Sequence, residues 1–355
     1  MKMIIEFLEE KRITFKENIK LSNYTYCKVG GVCELVVYPD SKVKLQILIQ
    51  YLSEEKIKYT IVGDTSNMIF LDDVKYGLII STKLLNEIDF KNSNTVEVYS
   101  GANLSDFLRN LYLRRIEGFE GLEGIPGTVG GAVFMNAGAY GYEISTYIKE
   151  VHCIKKTGEL VSLYHKDCNF SQRDSIFRQK KNLIIVSVTF NMNISNDEKY
   201  YEKIENFHTA RHCYQEFVLP NAGSVFTAKR CVYEELCDVD WKYKAIYKLL
   251  TKLLHNRVVK IFYGRTPNRR IVNNVTIKYF KLDNVKNAIS KKHINMFANQ
   301  GCTSWDLIDY IVKMKSILKN RVVLENEIVT DTIVEEYTSN YKEYKTRIEK
   351  VYNEG

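Results

Sequence analysis

Proline is scarce, with four residues in 355, and glycine contributes only eighteen. A chain so poor in both is neither collagen-like nor a low-complexity linker. Clustered cysteines are missing too. The eight, Cys27, Cys33, Cys153, Cys168, Cys213, Cys231, Cys237 and Cys302, are scattered and form no C-x-x-C pair. That spacing argues against zinc or iron–sulfur ligation, predicts reduced thiols packed among apolar groups, and leaves no metal site expected. Long hydrophobic runs are absent as well. The opening MKMIIEFLEEKRITF is broken by Glu6, Glu9 and Glu10, so it does not read as a signal peptide, and no later run is long enough to span a bilayer. A cytoplasmic protein with no membrane contact is expected. Nor is there a strong excess of one charge: 51 basic side chains against 43 acidic leave a net +8. That balance suits phosphate-bearing ligands but offers no concentrated basic face, so no nucleic-acid partner is expected.

What glycine there is gathers in one place. GLEGIPGTVGGAVFMNAGAYG, residues 121–141, holds seven of the eighteen. The pattern around it alternates strand and helix. Residues 33–38, 58–62 and 76–82 read as strands around an amphipathic helix at 42–56. A second block reads as a strand at 95–101, a helix at 105–115, the glycine stretch, and strands at 159–164 and 182–192. The composition turns polar near 194–203, which places a boundary at 195–205. Beyond it, a helix is expected from Trp241 to about His255, a basic strand-like stretch at 269–281, a helix at 303–320 with Ser304 as its N-cap, and a strand at 321–329. Val334, Tyr337, Tyr341, Tyr344, Ile348 and Val351 are spaced as one helical face, expected to pack on the body of the protein.

Five segments could carry chemistry. Gly63-Asp64-Thr65-Ser66-Asn67 follows a strand directly, so its amides could form a nest for phosphate, or it could be an ordinary turn. In the glycine stretch, Gly127-Thr128, Gly130-Gly131 and Asn136-Ala137-Gly138-Ala139-Tyr140 could admit a ligand directly onto the backbone, or could serve close helix–sheet packing. Two such turns about sixty residues apart could hold the ends of one long phosphate-containing cofactor. Their spacing does not fit G-x-G-x-x-G. Arg173 sits in a short polar turn and reads equally as a surface ion pair. Ser224 lies among small residues without a G-x-S-x-G elbow. Glu325 and Glu327 are two apart on the strand 321–329, so both point to one face, which reads equally as a solvated strand face.

Taken in order, these segments resemble the UDP-N-acetylenolpyruvoylglucosamine reductase family. The pieces are Thr25–Gly31, Gly63–Asn67, Gly121–Gly141, Arg173–Phe177, Asn221–Ser224, Ser290–His293 and Leu324–Glu327. The resemblance implies an α+β fold. A two-subdomain FAD-binding region of the vanillyl-alcohol oxidase type (21–88 and 89–200, after a lead-in at 1–20) would precede an α+β substrate domain (201–330) and a helical tail (331–355). It implies non-covalent FAD held by Gly63–Asn67 and by the glycine stretch, whose backbone amides would line the pyrophosphate. NADPH is implied as co-substrate and a nucleotide sugar as substrate. A monomer is expected. Arg173, Ser224 and Glu327 fall on the family's catalytic positions. Arg173 would hold the substrate carboxylate, Ser224 would donate a proton to carbon, and Glu327 would have to be protonated.

The chain also departs from that pattern. Thr65 stands where a second glycine is expected, Gln172 for a tyrosine, Thr227-Ala228 for Lys-Asn, and Val329 for an arginine. The glycine-rich run expected before Ser290 is replaced by the basic 269–281. Lys229, Arg230, Arg269 and Arg270 are candidates for replacement charge at the substrate's diphosphate. Three alternatives follow: the same chemistry on another enolpyruvyl or nucleotide-linked sugar, a catalytically silent flavin-binding protein, and, least, a covalent-flavin oxidase using Cys27 or His152.

Overall fold

The computed structural model describes residues 2–254, 269–336, 345–349 and 351. Two five-stranded sheets carry the first two-thirds of the chain. In one, strands Thr14–Lys20, Val32–Tyr38 and Val74–Ser81 lie side by side, the first pair antiparallel and the second parallel. Thr60–Val62 pairs parallel with the far end of Val74–Ser81. The other sheet is antiparallel throughout, in the order Leu160–Tyr164, Ile148–Lys155, Leu183–Asn191, Thr95–Tyr99 and Ile88–Phe90. Its second strand, Ile148–Lys155, went unread in the sequence, because its polar residues interrupt the apolar run.

Each sheet builds its own core. Val96, Val98, Phe107, Phe119, Val151, Val188 and Phe190 bury the second. The helix Lys42–Glu54, capped by the Ser41 side chain accepting from the Lys44 N–H, packs Leu45, Leu48, Ile49 and Leu52 on the first. The largest cluster joins Val62, Ile69 and Phe70 to Val225, Phe226, Leu307, Ile311 and Leu324, so the first sheet and the C-terminal part share one interior.

Three expectations are corrected. Residues 269–281 contain a helix, Arg270–Tyr279, not a strand. Its β-branched residues favour a strand locally, but Val272, Asn273, Thr276 and Ile277 fall three and four apart and bury together. Tyr233 and Tyr243 hydroxyls meet Asn273 and Thr276 there, and tertiary packing overrides propensity. The N-cap of Ser304–Leu318 is Thr303, which closes a capping box with Asp306. Ser304 is the first helical residue and ties instead to Asp72, donating its N–H at 2.6 Å and accepting the Asp72 N–H at 2.7 Å. The run 321–329 is two strands in two sheets. Val322–Leu324 pairs with Phe226–Ala228, and Glu327–Val329 pairs parallel with Met68–Phe70.

The tail opens as a strand, Ile333–Glu336, which adds to the edge of Val74–Ser81 end to end with Thr60–Val62. Val334 is therefore on a strand and exposed, outside the expected helical stripe. Ile348 and Val351 are helical and buried, and Arg347 pairs with Asp309. His255, Tyr337, Tyr341 and Tyr344 lie outside the described residues.

Candidate functional site

The two glycine-bearing turns lie against each other. A Cβ on Gly63 would fall 2.4 Å from the Thr128 Oγ1, and one on Gly127, at φ +125°, 2.9 Å from the Ser66 Oγ. The Ser66 hydroxyl donates to the Pro126 carbonyl at 3.2 Å. Thr128 caps the short helix Val129–Phe134 by accepting the Gly131 N–H. Gly130 packs that helix onto the second sheet, where a Cβ would meet the Ser100 Cβ at 2.6 Å.

Sequence reading expected these amides to face a ligand, and three of them do not. The N–H groups of Val129, Gly130 and Gly131 already donate to Ala102, Ser100 and Thr128. The glycines here give space rather than donors: a Cβ on Gly131 would touch nothing closer than the Thr128 Oγ1 at 3.4 Å.

Thr65 explains the family's second glycine. Its φ is +60°, a left-handed conformation that is costly for a β-branched residue. The Thr65 Oγ1 accepts the Tyr26 N–H at 2.8 Å, which offsets part of that strain. Replacement by glycine or by alanine loses this bond equally, but only alanine keeps the strain. Thr65→Gly is expected to be about 1 kcal/mol more stable than Thr65→Ala, measured by denaturant unfolding; equal stabilities would mean the strain is relieved elsewhere.

One cleft, with about 1460 Å³ of free space counting its open mouth, is lined by both turns and by Arg173, Ser224 and Glu327. All five residues Gly63–Asn67 line it, as do Gly127, Thr128, Gly130, Gly131, Ala137, Gly138 and Ala139. Asn136 and Tyr140 do not. Asn136 is buried and donates to Glu143 and to the Ser171 carbonyl, while Tyr140 stacks on Phe207. Lys229, Arg230, Arg269 and Arg270 are also outside the lining. Arg230 pairs with Glu235 and Asp238, and Arg269 lies over the Tyr233 ring.

The three candidate catalytic side chains come from separate segments. Arg173 sits at φ +58° in a turn closed by mutual Ser171–Asp174 backbone bonds, and its Nε is 3.2 Å from the Glu325 Oε1. Ser224 follows Gly223 at φ +69° and is bridged to Met296, with the Val225 and Phe226 amides held by Asn295. Glu327 donates its own N–H to the Asn67 carbonyl, which links it to the first glycine turn. Glu325 lies outside both short strands, so the expectation that the two glutamates share one strand face fails at the break between them. Burial raises the Glu327 carboxyl above the usual range, against the pull of Lys181 and Arg178.

Arg211 was missed in the sequence. It lines the cleft, is 3% exposed, and donates to Gln215 and the Gly121 carbonyl. Desolvation lowers its pKa. Its host helix, Tyr200–Tyr214, lacks a clear apolar stripe, so nothing in the sequence set this arginine apart from surface charge. The Arg211 Nε and the Ser100 Oγ are buried without a protein partner among the described residues. Two orphaned donors lining one cleft, with a backbone left open at Gly131, fit a polar ligand there. Cys27 and His152 are not in the lining. Cys27 is buried, its thiol pushed up to about 11 by desolvation. All eight cysteines are free. Among the described residues, no three His, Cys, Asp or Glu side chains are grouped to hold a metal, and no helix is long and apolar enough to cross a membrane.

Residues 33–164 match the model of the FAD binding domain family. A UDP-N-acetylenolpyruvoylglucosamine reductase of Carboxydothermus hydrogenoformans is 34% identical over 210 residues, covering 59% of this chain and 69% of the relative. The chain belongs to the UDP-N-acetylenolpyruvoylglucosamine reductase family. A reductase of the same name from Streptococcus pneumoniae is 35% identical over 223 residues, 63% of this chain and 73% of its own. The crystal structure of a UDP-N-acetylenolpyruvylglucosamine reductase from Thermus caldophilus superposes with a TM-score of 0.65 at 21% identity, over 90% of this chain and all of that one. This member of the reductase family is an FAD-binding oxidoreductase, and its α+β fold with an FAD-binding region agrees with the expectation from sequence.

Proposed function

We propose that this chain reduces the enolpyruvyl ether of UDP-N-acetylglucosamine to UDP-N-acetylmuramate, with NADPH as reductant, in peptidoglycan precursor synthesis. The observation that carries this reading is the convergence of Arg173, Ser224 and Glu327 on the cleft that both glycine turns line. Gly63–Asn67 and the turns from Gly127 to Ala139 would hold FAD, with the Ser100 hydroxyl and Arg211 as further donors. Held there, FAD would supply hydride-transfer chemistry between NADPH and the substrate's alkene.

The side chains handle charge and proton. Arg173 presents a fixed positive fork to the substrate carboxylate, where negative charge grows as hydride arrives. Glu327, whose pKa burial raises, would in its protonated form donate a hydrogen bond to the same developing enolate. The Ser224 hydroxyl gives its proton to the adjacent carbon and is reprotonated from solvent; its rigid seat beside Met296 supplies the alignment a weak acid needs.

Mixing the FAD-loaded protein with NADPH and the enolpyruvyl sugar should bleach the nicotinamide absorbance, and in deuterated water one deuteron should enter the product at the carbon beside the carboxylate. No bleaching with flavin bound would refute the reading. A second reading is favoured by one observation: none of the four candidate replacement cations reaches the cleft, and Val329 is buried beneath the Tyr76 hydroxyl where an arginine was expected. The same chemistry would then act on another nucleotide-linked enolpyruvyl sugar. Flavin reoxidation across a panel of such sugars separates the two.

A further inference from the structure

Glu325 is an acid of the cleft that the mechanism leaves unused. It lies beside Arg173, with its Oε1 3.2 Å from the Arg173 Nε. Its other oxygen, Oε2, accepts the Thr227 hydroxyl at 3.1 Å. Its main chain is held as firmly: the N–H donates to the Val225 carbonyl at 2.8 Å, and the carbonyl accepts from the Asn67 Nδ2 at 3.1 Å and the Arg178 Nη2 at 3.4 Å. The Nη1 of the same Arg178 donates to the Arg173 carbonyl at 3.0 Å. One arginine thus ties the backbone of the glutamate to the backbone of its partner.

We infer that Glu325, steadied by Thr227, is a positioning residue that takes the Nε edge of Arg173 and leaves the Nη1–Nη2 edge to grip a ligand carboxylate end-on. This rests on the proposed placing of the substrate carboxylate at Arg173. A guanidinium meets a carboxylate either side-on, through Nε and one Nη, or end-on through both Nη groups. With the Glu325 carboxylate already lying 3.2 Å from Nε, the Nη1–Nη2 edge is the one left to a second carboxylate, and the ion pair biases the guanidinium before the ligand arrives. Glu325 also counters the repulsion between Arg173 and Arg211, which face each other's field in the same cleft. Thr227 matters because a lysine, expected at that position from the family pattern, would compete with Arg173 as the cation for Glu325. A hydroxyl donates to one oxygen and leaves the glutamate's charge for the arginine.

The test uses the full-length, FAD-loaded protein and two probes read by the change in flavin absorbance: the enolpyruvyl sugar nucleotide and UDP-N-acetylglucosamine, which lacks the carboxylate. Glu325→Gln should weaken the first about tenfold and Thr227→Val about threefold, since each loses a hydrogen bond or charge in a charge-assisted set. UDP-N-acetylglucosamine should bind both variants within about twofold of the parent. The double variant should be no weaker than Glu325→Gln alone, because Thr227 acts only through Glu325. In turnover, Thr227→Val should raise KM more than it lowers kcat. Equal weakening of both probes, or additive losses in the double variant, would overturn the inference. If the parent itself fails to bind the enolpyruvyl sugar more tightly than UDP-N-acetylglucosamine, the functional reading fails first, and with it the carboxylate this arginine is said to receive.

Discussion

Glu327→Gln should lower kcat by about a hundredfold to a thousandfold, the cost typical of losing one preorganised donor at a developing oxyanion. The amide can still donate, but more weakly than a neutral carboxyl, and it cannot follow the charge by sharing a proton. The pH profile should carry the diagnosis. Burial raises the Glu327 pKa, so the active, protonated form prevails on the acid side, and kcat should fall as pH rises through that pKa. In the glutamine variant this limb should vanish. Stability should move the other way. Because the folded-state pKa lies above the unfolded one, the linked stability is complete below the unfolded value and is lost as pH rises through the folded value. The variant has no such loss, so its melting temperature should exceed the parent's by a margin that widens toward alkaline pH. A variant that kept the basic limb, or that was less stable throughout, would show that Glu327 does not act as a protonated acid with a raised pKa.

The second large effect is structural. Gly130→Val should cost about 3 kcal/mol, at the upper end for overpacking, because the neighbours are not flexible side-chain tips. A Cβ there meets the Ser100 Cβ at 2.6 Å, the Ser100 O at 2.9 Å and the Ser100 Cα at 3.1 Å, all on a sheet-bound segment. Relief requires the Val129–Phe134 helix to lift off the second sheet, which also breaks the Gly130 N–H bond to the Ser100 carbonyl. The purified variant should lose yellow colour on gel filtration and unfold earlier in urea. Gly141→Ala is the control: its φ of +84° carries strain, but nothing lies within 4 Å of a Cβ, so flavin should be retained. Equal flavin loss in both would mean backbone conformation, not close approach, sets the cleft wall.

Much of the fold was legible because its signals are local. Runs of apolar and β-branched residues mark Val32–Tyr38 and Thr95–Tyr99, and helical spacing of apolar residues marks Lys42–Glu54 and Leu104–Leu113. The errors lie where long-range packing outweighs local preference. Arg270–Tyr279 became a helix because its buried stripe meets two tyrosines from distant segments. The run 321–329 broke in two because its halves pair with strands that lie far away in sequence, Phe226–Ala228 and Met68–Phe70. The tail strand exists because an edge of the first sheet was open to it.

The sequence by itself determined which chemistry was on offer: two glycine-bearing turns, an arginine in a polar turn, a serine among small residues and a pair of glutamates, in an order that resembles one reductase family. Each is a matter of residue type and short spacing, which a linear string carries in full. Only the tertiary structure decided what those groups do to one another. It turned three of the expected amides inward, paired Arg173 with Glu325, brought Arg211 to the cleft, and raised the Glu327 pKa by desolvation. Desolvation and ion pairing depend on which distant segments share a cleft, and separations such as the 146 residues between Arg178 and Leu324 become contacts only when the chain has folded.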